Sequence, residues 1–126
     1  MSMPSLQRWI RLAEQEVERT RARLPRSLRE RAAEIPVTCV PRPTRAMQRD
    51  GVDPELLGLF VGEALPMADT PGGDLPAQIL LFIENLADYA EYDEESFREE
   101  TRTTYLHELG HYLGLDEGAL ADRDLE

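Results

Sequence analysis

Apolar residues recur every three or four positions along the first fifth of the chain. Glutamates and arginines fill the positions between them, and the pattern covers residues 4–24 before Pro25 interrupts it. This spacing places the apolar side chains on one face and predicts an amphipathic helix. The segment Ser27-Leu28-Arg29-Glu30 fits a capping box, which predicts a short second helix over residues 27–33.

Three short segments in the middle of the chain predict β-strands. They cover residues 35–40, 56–61 and 79–83. The first is rich in β-branched residues and alternates, whereas the third is a continuous apolar run typical of a buried strand. Residues 42–54 and 63–78, which separate the strands, are interpreted as loops, and the second is long enough to cover a substrate.

A last helix is predicted between Asp93 and about Leu113. Asp93 is a suitable N-cap, and the glutamates that follow it complement the positive end of the helix dipole. Gly114 can end this helix because it adopts the left-handed conformation without a Cβ clash. The order of elements predicts an α+β fold, and the length of 126 residues predicts one domain over residues 1–126.

The charge of the chain limits its partners. There are 25 acidic and 14 basic residues, which give a net charge of -11. This balance repels phosphate backbones and anionic lipid surfaces, so neither nucleic acid nor a membrane is expected as a partner. The single cysteine, Cys39, cannot form an internal disulfide and is expected to be a buried, inert thiol. A cytoplasmic location is the resulting expectation.

The segment His107-Glu108-Leu109-Gly110-His111 lies on the predicted last helix. Residues four apart on a helix differ by about 6 Å in rise and about 40° in azimuth, so both imidazoles can converge on one ion. Glu108 is rotated by about 100° and can instead reach a water in the open coordination position, as a general base. The chain has two histidines and both are in this segment, which argues against a chance occurrence on a solvated helix.

A catalytic zinc site takes three protein ligands and leaves one position for water. Fifteen residues follow His111, so the third ligand is expected close by rather than on a distant helix. A sharp turn at Gly114 would bring a residue about three positions later back toward the histidines. Glu117 fits this spacing best, and Asp116, with its shorter side chain, is the rival.

The segment from His107 to Glu117 resembles the HExxHxxGxx[DE] pattern of the minimal zincins, a family of small prokaryotic zinc metallopeptidases. The resemblance extends to Leu57-Gly58-Leu59-Phe60 with the nearby Gly62, and to the strand region from Leu75-Pro76 to Ile83. It therefore covers most of the chain.

The resemblance implies a zincin-like α+β fold with an N-terminal backing helix, a small mixed sheet and a C-terminal active-site helix. It implies zinc as the cofactor, His107 and His111 as ligands, and Glu108 as the general base. It also implies an acidic residue at position 117 as the third ligand. This residue is Glu117, whereas many members of the family carry aspartate there. Zincin substrates commonly pair with an edge strand, and residues 79–83 are the expected strand.

The expected activity is hydrolysis of peptide bonds in a peptide or protein substrate. Zinc would lower the pKa of its bound water to about 7, and Glu108 would take the proton. Two alternatives use the same residues. One is a zinc-binding interaction module without efficient turnover, in which a fourth protein ligand closes the site. The other is a metal hydrolase that acts on substrates other than peptides.

Overall fold

Five helices and three strands make up the part of the chain that the computed structural model describes, residues 3–62 and 77–113. In chain order they are α1 (Met3–Ala22), α2 (Arg26–Ala32), β1 (Val37–Val40), α3 (Arg45–Arg49), β2 (Gly58–Val61), β3 (Gln78–Phe82), α4 (Ile83–Tyr89) and α5 (Glu94–Leu113). The predicted α+β class is confirmed.

The three strands form one mixed sheet in the order β1-β3-β2. Strand β3 pairs with β1 in parallel and with β2 in antiparallel orientation. The prediction that residues 79–83 form an edge strand is therefore wrong, because β3 is hydrogen-bonded on both sides. Its continuous apolar run reflects burial in the centre of the sheet, where residues 79–82 are at most 6% exposed. The edges of the described sheet are β1 and β2.

Helix α1 packs its apolar face along α5, as the predicted amphipathic pattern requires. The ring of Trp9 lies 4.7 Å from the ring of Phe97, and both side chains are buried. Further along, Arg21 Nε donates to the hydroxyl of Tyr105 at 3.0 Å and Arg21 Nη2 donates to the carbonyl of Ile35 at 2.6 Å. Helix α1 therefore supports α5 on the side that faces the core.

Two local predictions need correction. Helix α2 begins at Arg26 with Pro25 as its N-cap and has no side-chain cap, so the capping box at Ser27 does not form. The predicted loop over residues 42–54 contains α3, whose N-cap Thr44 accepts a hydrogen bond from the amide of Met47 at 3.1 Å. Helix α2 begins directly after Pro25 and helix α3 directly after Thr44.

The start of α5 agrees with the prediction. Asp93 Oδ2 accepts a hydrogen bond from the amide of Ser96 at 2.9 Å, and this bond lowers the pKa of Asp93. Gly114, the predicted end of this helix, lies outside the described residues, as do residues 63–76 of the predicted loop over residues 63–78, whose last residue, Gln78, belongs to β3. Among the helices that the structure describes, none is both long enough and apolar enough to cross a membrane.

Candidate metal centre

The three candidate functional side chains of the HExxH segment meet on the last two turns of α5. The imidazole rings of His107 and His111 lie 4.5 Å apart. One ligand atom from each of His107, Glu108 and His111 can be chosen so that all three lie within 4.8 Å of one another. The two histidines differ in exposure, since His107 is half-buried and the side chain of His111 is 54% exposed. The cluster is thus open to solvent on the His111 side.

The spacing of these atoms fits a divalent metal ion. Two nitrogens bound to a tetrahedral zinc at about 2.0–2.1 Å are about 3.4 Å apart. The ligand atoms of the cluster are already within 4.8 Å, so small side-chain rotations bring them onto one ion. Imidazole and carboxylate donors suit zinc, and they also accept cobalt, nickel or manganese.

The Glu108 side chain is held between α5 and the sheet. Its Oε1 accepts a hydrogen bond from the main-chain N–H of Phe60 at 3.0 Å, and the same atom lies 3.7 Å from Nδ1 of His111. Glu108 is only 9% exposed. A buried carboxylate requires such a partner, because removing it from water without a hydrogen bond is unfavourable. Strand β2 supplies this partner from the edge of the sheet.

Strand β2 and helix α5 lie side by side, and residues at regular intervals along one contact residues at regular intervals along the other. The amide of Phe60 contacts Glu108, and the ring of Phe60 lies 5.7 Å from that of Tyr112. Two residues earlier, a Cβ placed on Gly58 would lie 2.5 Å from Cγ2 of Thr104. Two residues of a strand advance about 6.7 Å and four residues of a helix about 6 Å, so the two elements stay in register.

A buried asparagine fixes the segment that leads into β2. Asn85, on α4, donates through Nδ2 to the carbonyls of Pro54 and Leu56 at 2.8 and 2.9 Å. Its Oδ1 accepts from Arg42 Nη1 at 2.9 Å, and the residue is 5% exposed. Sequence reasoning missed Asn85, although a lone amide inside the apolar stretch 79–87 was a visible signal.

The sequence also pointed to Glu117, Asp116 and Cys39. Glu117 and Asp116, the candidates for the third ligand, lie outside the described residues. Cys39 lies on β1, at the opposite edge of the sheet from β2, and is half-buried. Burial, together with the charge of Glu14, raises the pKa of the Cys39 thiol to about 11, so this thiol is inert at neutral pH.

A comparison with known protein families gives one match. The family described as zincin-like metallopeptidase matches residues 32–126, a range that includes all three strands and the HExxH segment. Helix α1 and most of α2 precede the matched range. A search of curated proteins gives no match. The match covers well over half of the sequence and confirms the resemblance to the minimal zincins: the chain belongs to the zincin-like metallopeptidase family.

Proposed function

We propose that this protein is a zinc-dependent peptidase that hydrolyses peptide bonds with Glu108 as the general base. The observation that carries this proposal is the position of the Glu108 carboxylate, which is anchored by the edge strand directly beside the two histidines. Membership of the zincin-like metallopeptidase family supports it. A base must lie within hydrogen-bond reach of the water that it activates, and this arrangement allows that.

His107 and His111 would hold the ion, with Glu117 as the proposed third ligand and Asp116 as its rival. When bound, zinc supplies Lewis acidity, which lowers the pKa of a bound water to about 7 and polarises the substrate carbonyl. Three protein ligands leave one coordination position for that water. Helix α5 presents both imidazoles from one face, so little reorientation of these two side chains is needed when the ion binds.

Glu108 would carry the proton through the reaction. Its carboxylate accepts a proton from the attacking water as the water oxygen bonds to the carbonyl carbon. The same proton then passes to the amide nitrogen as the C–N bond breaks, which releases an amine and a carboxylic acid. The burial of Glu108 strengthens its interactions with the reacting atoms, because the surroundings screen charge less than water does.

An extended peptide would bind next to β2, and not next to residues 79–83 as the sequence suggested. Leu57 accepts through its carbonyl from the amide of Phe82 at 3.0 Å, so the ladder alternation turns the main-chain groups of Phe60 away from β3. Gly58 is buried, so a peptide would bind along the part of the β2 edge that includes Phe60. The Phe60 carbonyl would pair with the peptide, because the N–H is engaged by Glu108.

Glu108→Gln tests the role of the base. This variant should bind zinc like the unmodified protein and lose peptide hydrolysis by about 10²–10⁴-fold, because an amide cannot accept the proton. Glu99→Gln is the matched control, since Glu99 is an exposed glutamate on the same helix. Measurements of zinc content and of cleavage of a peptide library check both variants. Full activity in Glu108→Gln would refute the mechanism.

The third ligand is tested by metal content. Glu117→Ala should lose bound zinc during dialysis, whereas Asp116→Ala should retain it, because the proposed ligand is the residue with the longer reach after Gly114. Atomic absorption on both variants gives the comparison. Loss of zinc in Asp116→Ala alone would assign the ligand to Asp116.

One observation favours a second candidate, a metal-binding module without efficient turnover. The carboxylate of Glu108 belongs to the group whose ligand atoms lie within 4.8 Å, so it is close enough to become a ligand itself. A site with Glu108 bound to the ion would have lost its base. An exchangeable water on the ion, detected with an inhibitor that replaces it, would favour the peptidase.

A further inference from the structure

The main-chain N–H of Phe60, on β2, donates a hydrogen bond to Oε1 of Glu108, on α5, at 3.0 Å. We propose that this N–H is a positioning group that keeps Glu108 in the role of base by holding its carboxylate off the metal ion. The inference rests on the proposed function and deepens it, because it names what separates a catalytic from a closed zinc site in this fold.

Glu108 needs such a restraint because of where it lies. An oxygen of its carboxylate is within 4.8 Å of ligand atoms of both histidines. Carboxylates are good zinc ligands at about 2.0–2.2 Å, so a side-chain rotation would turn the base into a ligand. Hydrogen bonds from an N–H to an ionised carboxylate are about twice as strong as neutral ones. The bond to Phe60 opposes that rotation.

The fold makes the Phe60 N–H available for this task. Phe60 pairs opposite Ile79 at a position where the ladder alternation directs its N–H away from β3. Gly58 lets β2 lie against α5, since a Cβ there would lie 2.5 Å from Cγ2 of Thr104. The close approach at Gly58 therefore brings the amide two residues later within hydrogen-bond distance of Glu108.

Two substitutions at the same position isolate the N–H. Phe60→Pro removes it without removing a ladder bond, because an outward-facing position on an edge strand tolerates proline. Phe60→Ala retains the N–H, and both variants lose the ring that packs on Tyr112. The difference between the two variants therefore reports on the N–H and not on the ring.

The first readout is the cobalt-loaded protein. Its d–d absorption spectrum depends on the number and type of ligands. Phe60→Ala should keep the spectrum of the unmodified protein, and Phe60→Pro should change it as the carboxylate joins the ligands. In a chelator competition, Phe60→Pro should also bind zinc about tenfold more tightly than Phe60→Ala, because it gains an anionic ligand. Identical spectra and affinities in the two variants would overturn the proposal.

The second readout does not depend on the folding of Phe60→Pro. In the metal-free protein, hydrogen exchange at the Phe60 amide should be about tenfold faster in Glu108→Ala than in the unmodified chain, because the acceptor is gone. The Phe82 amide, which donates to the carbonyl of Leu57, is the internal reference and should keep its rate. Equal protection of Phe60 in both proteins would overturn the proposal.

These measurements separate the two proposals. Neither the cobalt spectrum nor the exchange rate requires a cleaved peptide. A protein that cleaves nothing but shows the expected spectral change would contradict the peptidase proposal and support the positioning role. A protein that cleaves peptides, but whose Phe60→Pro and Phe60→Ala variants have the same cobalt spectrum and zinc affinity, would support the peptidase proposal and contradict the positioning role.

Discussion

Gly58 is the residue that sets the distance between β2 and α5. A Cβ at this position would lie 2.5 Å from Thr104 Cγ2 and 3.2 Å from the Leu80 carbonyl oxygen. Gly58→Ala should therefore lower the free energy of unfolding by about 1–3 kcal/mol, the usual range for overpacking. Urea unfolding measures this change.

A second substitution tests the cause. Thr104→Ser removes the Cγ2 atom that the new Cβ would meet, so the double variant should recover part of the lost stability. Leu80 remains in place, and full recovery is not expected. A loss in the double variant equal to the sum of the two single losses would show that the clash is not with Thr104.

The thiol of Cys39 should make the stability of the fold depend on pH in the alkaline range. Burial raises the thiol pKa from 9.0 to about 11 in the folded protein, so the folded state holds its proton more tightly than the unfolded state. The resulting stabilisation is fully present below pH 9 and is lost as the pH rises through about 11. Burial also raises the pKa of Tyr105, so this residue adds to the loss of stability at pH values above its ordinary pKa.

The Cys39→Ala variant isolates the thiol from the tyrosine. Between pH 9 and 11 its free energy of unfolding should fall less steeply than that of the unmodified protein, because, of the two described groups whose pKa burial raises, only Tyr105 remains. Urea unfolding at several pH values in this window gives the two curves. Parallel curves would show that Cys39 makes no contribution.

At the scale of elements, local patterns predicted α1 and α5 well. The apolar period of α1 and the Asp93 cap of α5 are properties of neighbouring residues, and the structure confirms both. Helix α4 was missed because Ile83 continues the apolar run of β3 without a break, and the chain turns into a helix directly. The central position of β3 was missed because an apolar run indicates burial but not which strands lie on either side.

The same distinction applies to the site. His107, Glu108 and His111 were predicted together because one helical turn fixes their spacing. The donor to Glu108 is a main-chain group of Phe60, and every residue except proline has such a group. Its role arises from the tertiary contact between β2 and α5, so the sequence carries no signal for it.

Helix α1 makes a testable contribution to the support of α5. Trp9 is 5% exposed and packs on Phe97. Trp9→Ala should lower the free energy of unfolding by about 3–5 kcal/mol, because a large cavity forms between the helices. Arg11→Ala is the control on the same helix, since Arg11 is exposed and should change stability by less than about 0.5 kcal/mol. Thermal unfolding measures both, and equal effects would show that α1 does not support α5 through Trp9.

Over the whole molecule, the proposed metal ligands and the anchor of the proposed base lie on different parts of the fold. His107 and His111 lie on α5, whereas the Glu108 carboxylate is anchored by β2, which is itself held through Asn85 and the segment at residues 54–56. Perturbation of β2 should therefore affect the base before it affects retention of the ion. Under the proposed function, a change in β2 should therefore impair catalysis without loss of the ion, even where release of the carboxylate alters the zinc affinity.

Zinc should stabilise the folded chain as a whole. A ligand that binds only the folded state adds about 2.7 kcal/mol when its free concentration is 100 times Kd, so Tm should rise with added zinc and fall again with a chelator. The net charge of -11 gives divalent cations a second, nonspecific way to bind, by reducing the repulsion among carboxylates. His111→Ala separates the two effects, because it removes one ligand and leaves the count of acidic residues unaltered. The zinc-dependent rise should disappear in His111→Ala and persist in Glu99→Gln, whereas an equal rise in both variants would assign the stabilisation to the acidic surface.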